Sequence, residues 1–153
     1  MNPLTGTFRI FFRTKRIRIT RRIRRPRSIF HTRSRQQYLA NKESARSLVR
    51  ERIIHFNLHY KANIGRITIR NQKSRWGSCS KKGNLNFNYK LVFLPSELSD
   101  YIIVHEICHI KEFNHAKSFW NLVGETIPDH IELRGALRKI ERNGNFEQNL
   151  NIF

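Results

Sequence analysis

One stretch of this 153-residue chain decides its fold: Tyr101-Ile102-Ile103-Val104-His105-Glu106-Ile107-Cys108-His109. It lies in a segment without Gly or Pro, which predicts an unbroken helix over residues 97–112 with Ser96 as its N-cap. Apolar side chains surround almost the whole of this helix, and such helices are normally buried at the centre of a domain. Three polar side chains would be buried with it, and buried polar groups need partners or a metal ion.

The spacing H-E-x-x-H suggests a chemistry for those polar side chains. His105 and His109 are four residues apart, so they share one helix face, and their imidazoles can occupy two positions of a tetrahedral zinc site. His115 is expected to supply the third ligand after the chain turns back at Asn114, a residue type that tolerates left-handed backbone. The fourth position would stay open for water. The carboxylates that could replace His115 as third ligand are those of Glu112, Glu125 and Asp129.

Glu106 follows the first histidine and is the expected general base. From that position it can take a proton from the water that a metal ion activates, and later pass it to the leaving amine. These residues predict a zinc hydrolase that cleaves peptide bonds, with a protein or peptide as substrate. A peptide would lie antiparallel along an exposed strand, in segment 66–70 or 84–89. The reaction's oxyanion needs a further donor, for which the candidates are Tyr101, Arg75, His130 and Arg134.

Length and charge limit the class of protein. A chain of 153 residues is long enough for one domain with an apolar core. The net charge is +19, and residues 1–40 carry twelve Arg or Lys and no acidic residue. The sequence has no apolar run of about 18 residues, which predicts no membrane helix, and no apolar segment follows the basic N-terminus, which predicts no secretory signal. Cys79 and Cys108 give no disulfide framework, so a reducing cytoplasm is expected.

Three regions are expected along the chain: an Arg-rich arm at 1–35, a metallopeptidase domain at 36–143 and a C-terminal tail at 144–153. The arm has three interpretations. It is a solvated tail whose residues 16–20 alternate like an edge strand, a surface for nucleic-acid phosphates, or an organelle transit peptide. Nucleic-acid binding would support an alternative function, that of a nucleic-acid-associated module. A protease tethered to DNA would combine the two functions.

The domain alternates between helical and strand periodicity. Besides the central helix, helices are predicted at 36–61, 116–125 and 128–142. Residues 66–70 and 84–89 alternate like strands and flank a turn signal, Gly83-Asn84, so we expect them to pair antiparallel. The predicted fold is α+β, with a small antiparallel sheet packed on helices around a central HExxH helix.

Several short motifs occur together in one order. They are Arg75-Trp76-Gly77-Ser78-Cys79-Ser80, then Gly83-x-Leu85-x-Phe87-Asn88, then H-E-x-x-H, Asn114-His115 and Phe119-Trp120. Over residues 64–140 they resemble the YgjP-like zinc metallopeptidases, which are related to the SprT-like zincins. The resemblance implies a minimal gluzincin-like domain in which His105, His109 and His115 bind zinc and Glu106 is the catalytic base. It leaves open whether Arg75 and Trp76 line the substrate cleft or have only structural roles.

Overall fold

The computed structural model describes residues 29–142, and their side chains from residue 33 onward. The elements in chain order are helix α1 (Ile29–Tyr60), strands β1 (Ile67–Arg70), β2 (Gly77–Cys79) and β3 (Leu85–Asn88), a 3₁₀ helix (Tyr89–Phe93), and helices α2 (Ser96–Cys108), α3 (Lys117–Gly124) and α4 (His130–Arg142). One helix, a small sheet and three further helices make this an α+β fold, as predicted. Within residues 29–142, no helix has the length and apolarity that a membrane span requires.

Helix α1 begins earlier than predicted, at Ile29 rather than at residue 36. The segment between the two positions contains no Gly or Pro, so nothing in it interrupts a helix. The side-chain amide of Asn71 donates to the Ser34 hydroxyl at 3.0 Å, which ties this early part of the helix to the residues after β1. The last residues of the predicted arm therefore belong to the folded domain.

The other expectations about the chain ends fall outside the described residues. They concern the arm up to residue 28, including the strand expected at 16–20, and the tail expected at 144–153. The remaining domain boundaries, the nucleic-acid alternative and the cytoplasmic location stay predictions.

The sheet is mixed, with the strand order β1-β3-β2. Strand β1 runs parallel to β3, and β2 runs antiparallel to β3. The predicted antiparallel pairing of segments 66–70 and 84–89 was therefore wrong. The connection between them contains β2, so the chain reverses direction twice and returns parallel to β1. Gly83 makes the second reversal with a φ of 71°, a left-handed conformation that favours glycine, in agreement with the predicted turn.

Helix α2 occupies the centre of the domain, as its composition predicts. Ile103, Val104, Ile107 and Cys108 have no exposed surface. The helix is in contact with α1, β2, α3 and α4, so other elements enclose it on several sides. Burial of a large apolar side chain contributes roughly 1.5–3 kcal/mol relative to its exposure, so this helix is a main source of the domain's stability.

Both ends of α2 differ from prediction. Ser96 is the first helical residue, and Pro95 before it takes the cap position in extended backbone, with φ −49° and ψ 146°. The Pro95 carbonyl accepts the N–H of Leu98 at 3.1 Å, so the main chain makes the bond expected of a Ser96 side chain. At the other end the helix stops at Cys108. The N–H of Lys111 donates to the carbonyl of Cys108, three residues back, and this tighter turn replaces the last predicted turn.

A stripe along α1 packs against this centre, consisting of Ala45, Val49, Ile53, Phe56 and Tyr60. Two polar contacts fix the position of α1. The Arg52 guanidinium makes two hydrogen bonds to the Asp100 carboxylate on α2, at 2.6 and 2.5 Å. The Tyr60 hydroxyl donates to the carbonyl of Leu122 on α3 at 3.0 Å. Helix α1 is therefore attached to both helices that carry the site described below.

We expect Arg52→Ala to lower the free energy of unfolding by about 1.5–3 kcal/mol, because it leaves a partly buried Asp100 carboxylate without its bidentate partner. The Asp100 side chain is only 14% exposed, whereas Glu43, the ion-pair partner of Arg46, is 70% exposed. Arg46→Ala is therefore the matched control and should cost less than about 1 kcal/mol. Urea denaturation followed by circular dichroism measures both, and equal losses would contradict the interpretation.

Candidate active site

The imidazoles of His105, His109 and His115 converge on one point. The Nε2 atom of His105 lies 3.1 Å from Nε2 of His109 and 3.1 Å from Nε2 of His115. Tetrahedral coordination with metal–nitrogen bonds of about 2.1 Å separates the nitrogens by about 3.4 Å, so this spacing fits a shared metal ion. One ligand atom from each histidine lies within 4.8 Å of the others, and no second group of three or more His, Cys, Asp or Glu residues within the described part of the chain is arranged to hold a metal ion.

The alternative third ligands lie elsewhere. The Glu125 carboxylate is 2.8 Å from Nε2 of His59. Asp129 accepts the Glu132 N–H through its main-chain carbonyl at the start of α4. Glu112 contributes its main-chain carbonyl to the site and not its carboxylate. The structure thus brings His115 to the helical pair and leaves these three carboxylates out of the group.

The turn that returns His115 to the helix differs from expectation. Asn114 lies in a bend, and Lys61 is the non-glycine residue of the described chain that has positive φ. The chain thus bends at Asn114, as predicted, but without left-handed backbone there. The tighter turns after Cys108 begin the reversal instead, through main-chain bonds that sequence alone does not reveal.

Hydrogen bonding and burial hold the imidazoles in the form that binds metals. The Nδ1 atom of His109 lies 3.0 Å from the Glu112 carbonyl oxygen, which can only accept, so Nδ1 carries the proton and Nε2 keeps its lone pair. Burial, together with His109, His115 and Arg134, lowers the pKa of His105 to about 3. Burial, His109 and Arg134 also lower the pKa of His115. The neutral forms of His105 and His115 are therefore favoured near pH 7.

Helix α3 supplies an aromatic wall to the three histidines. The Phe119 ring centroid lies 4.9, 4.6 and 4.8 Å from the rings of His105, His109 and His115. Trp120 acts on His115 twice: its ring stacks on the imidazole at 5.5 Å, and its Nε1–H donates to the His115 carbonyl at 3.1 Å. From the sequence, both residues were expected in the helix predicted at 116–125 and had no role assigned at the site. Their adjacency to Asn114-His115 in the motif set was the available signal.

Glu106 follows His105 on α2, lines the same cavity, and packs its side chain against strand β2. Its side chain is 6% exposed, and a Cβ atom added to Gly77 would lie 2.6 Å from both its Cγ and its Oε1. Only a residue without a side chain fits there, which explains the glycine in the Arg75–Ser80 motif. Burial raises the pKa of the Glu106 carboxyl to about 8. The structure thus places the predicted base beside an edge strand.

A cavity of about 230 Å³ opens between β2, α2 and α4. Its lining includes Arg75, Trp76, Gly77, Tyr101, His105 and Glu106. Two of the four predicted oxyanion donors, Arg75 and Tyr101, therefore face the cavity. The other two lie against Trp120: the His130 ring stacks on it at 5.7 Å, and the Arg134 guanidinium lies 4.5 Å from its ring centroid. Of the two roles left open for Arg75 and Trp76, the structure thus supports lining of the cleft. Arg75 takes part in none of the ion pairs within residues 33–142, so a structural ion pair does not account for it.

Comparison with known proteins identifies the family. A sequence model described as "YgjP-like, metallopeptidase domain" matches residues 12–140. The chain belongs to the YgjP-like metallopeptidase family. As a YgjP-like metallopeptidase it acts on proteins or peptides, and its family implies a metal ion.

Two solved structures are similar to this YgjP-like chain. The abylysin metallopeptidase zymogen of Pyrococcus abyssi is 24% identical over 64% of this chain and 93% of its own, with a TM-score of 0.50, which supports a shared fold. The jannalysin metallopeptidase zymogen of Methanocaldococcus jannaschii is 32% identical over 63% of this chain and 97% of its own, with a TM-score of 0.46. No curated protein sequence gives a significant match.

Gly77→Ala should reduce peptide hydrolysis about 100-fold, because the new methyl group displaces the Glu106 carboxylate, and small misplacements of reacting groups carry such costs. Metal content should be unchanged, since the atoms nearest to the added methyl group all belong to Glu106 and none to a histidine. Both are measurable on purified protein by a fluorogenic peptide assay and elemental analysis.

The matched control is Gly135→Ala on α4, where an added Cβ meets nothing within 4 Å. It should keep full activity and raise stability by about 0.5–1 kcal/mol, because alanine is the better helix former. If both variants lost activity equally, the contact between Gly77 and Glu106 would not explain the result.

Proposed function

We propose that this metallopeptidase uses zinc, held by His105, His109 and His115, and that Glu106 is its general base. The convergence of the three Nε2 atoms carries the proposal. Three neutral imidazoles without a carboxylate form a donor set that suits zinc better than magnesium, calcium or manganese, which prefer oxygen ligands. When bound, the ion would polarise the substrate carbonyl and make water a better nucleophile.

Glu106 moves the proton in the proposed reaction. Its carboxylate takes a proton from the attacking water and delivers it to the leaving amine. A cation at the histidines favours its charged form and opposes the effect of burial on its pKa. Gly77 fixes the side chain sterically, so the carboxylate needs little rearrangement when substrate arrives.

The substrate is proposed to lie along β2. This strand is at the edge of the sheet and is in contact with α2, whereas β3, from the predicted segment 84–89, is the central strand and pairs on both sides. Strand β1, from the predicted segment 66–70, lies at the far edge. A peptide that adds to β2 by main-chain hydrogen bonds would pass directly beside Glu106. Arg75 and Tyr101, which line the same cavity, are the proposed donors to the oxyanion.

Glu106→Gln should retain stoichiometric zinc and lose about 10²–10⁴-fold in kcat/KM, since the amide cannot accept the proton. His115→Ala should instead lose zinc affinity. The two losses are separated by measuring bound metal and peptide cleavage on the same preparations. Glu112→Gln is the control, because Glu112 offers the site only its main-chain carbonyl. Undiminished hydrolysis by Glu106→Gln would place the base elsewhere, and purified wild type without zinc would exclude the metal assignment.

Trp120→Phe should weaken metal binding about 10–100-fold, a usual effect of removing a group that orients a ligand. Phenylalanine keeps a ring against His115 but lacks the N–H that donates to the His115 carbonyl. Competition with a chromogenic chelator gives the affinity. Lys117→Ala, at an exposed position of the same helix, is the matched control, and equal affinities of the two variants would assign Trp120 to packing alone.

A further inference from the structure

A second cavity adjoins the catalytic cleft. It has a volume of about 340 Å³, and Arg75 and Trp76 line both cavities. Three basic residues contribute to its walls: Lys73, Arg75 and Lys90. The proposed reaction does not use this cavity.

One buried side chain holds the main chain of these walls in place by hydrogen bonds. Asn88, at the end of β3, is 4% exposed. Its amide donates to the carbonyls of Gln72 and Arg75, at 2.8 and 3.0 Å, and its Oδ1 accepts the main-chain N–H of Lys90 at 3.2 Å. The main chains that carry the three basic residues are thus held by one amide, so the cavity is a formed feature of the fold and not a chance grouping of surface charges.

The sequence around this cavity is also rich in basic residues. Residues 52–96 contain nine Lys or Arg and no Asp or Glu. The carboxylate of this cavity comes from α4, where Glu141 accepts a hydrogen bond from Nε1 of Trp76 at 3.0 Å. Among the described residues, three basic side chains and one carboxylate line the cavity, an excess of positive charge, and the Glu141 carboxylate is held there by the Trp76 indole.

We propose that this cavity, lined by Lys73, Arg75 and Lys90, is a specificity subsite that binds an acidic side chain of the peptide substrate. The proposal rests on the function proposed above, in which the peptide lies along β2. Trp76 immediately precedes that strand, so a peptide beside Glu106 would present a neighbouring side chain to the cavity. Guanidinium and ammonium groups bind carboxylates by charge-assisted hydrogen bonds, which are about twice as strong as neutral ones.

The test uses full-length, zinc-loaded protein and fluorogenic peptides that are identical except for one residue, Glu, Gln or Lys, placed in turn at each position near the cleaved bond. At one position kcat/KM should be at least about tenfold higher for Glu than for Gln, and lowest for Lys, with a ratio that falls as salt increases. Lys73→Gln and Arg75→Gln should reduce the Glu-to-Gln ratio severalfold. The ratio cancels any general loss of activity in a variant.

Lys81→Gln and Lys82→Gln are the matched controls. They remove the same charge from the turn between β2 and β3, outside the cavity, and should leave the ratio unchanged. A ratio near one for wild type at every position, or equal effects of all four substitutions, would overturn the proposal.

A binding experiment separates this proposal from the function on which it rests. If wild type cleaves no peptide, the Glu106→Gln protein is titrated with the fluorescently labelled Glu and Gln peptides. Tighter binding of the Glu peptide that is lost in Lys73→Gln and Arg75→Gln would support the subsite although the peptidase proposal failed. Equal binding would overturn it, and so would a result in which these two substitutions weakened binding of a labelled DNA oligonucleotide but not of the acidic peptide.

Discussion

The Glu106 carboxyl group is enclosed in the domain and rests against the α-carbon of Gly77. This contact joins the central helix to the edge strand of the sheet, and much of the surrounding architecture depends on it. Helix α2 must be enclosed because its surface is apolar, and α1, the sheet, α3 and α4 enclose it. His105 and Glu106 of this helix line the cleft that β2 and α4 leave open.

Two buried polar atoms of the site lower the stability of the fold, and the proposed chemistry explains why they are present. Oε2 of Glu106 and Nδ1 of His105 are buried without a hydrogen-bond partner among the described residues. An unsatisfied buried polar atom costs on the order of 1–3 kcal/mol, so a sequence selected for stability alone would avoid both. The pairing of Arg52 with Asp100 and the apolar stripe of α1 offset this cost on the far side of the helix. Such local conflicts are expected where function sets the residue type.

Sequence reasoning succeeded where the signal was local and periodic. The composition of residues 101–109 indicated a buried helix, and the histidine spacing indicated which side chains would meet. It failed where the structure depends on pairing between strands that are distant in the sequence. The direction of β1 relative to β3 depends on a three-residue strand, Gly77–Cys79, which is too short to show alternation. The cap at Pro95 and the turn after Cys108 depend on main-chain hydrogen bonds, which residue types specify only weakly.

The sequence also did not reveal the roles of Phe119, Trp120 and Gly77, because these roles depend on contacts between different elements. Each was visible as part of a motif, but its partner lies on another element. An aromatic pair on a helix normally predicts core packing, and only the coordinates place it against imidazoles. The glycine in a Trp-Gly-Ser segment predicts a turn or close approach, without naming what approaches.

The two halves of the site differ in how much of the chain must be ordered to form them. The three histidines lie within the eleven residues 105–115, whereas Glu106 and Gly77 are separated by 29 positions in the sequence. Short loops close rapidly and at low entropic cost, and distant strands pair late in folding. A nascent chain could therefore capture its ion soon after residue 115 leaves the ribosome, before the sheet has docked. Metal acquisition and proteolytic competence would then be separate events, and an incompletely folded molecule would carry its metal ion without being able to cleave its neighbours.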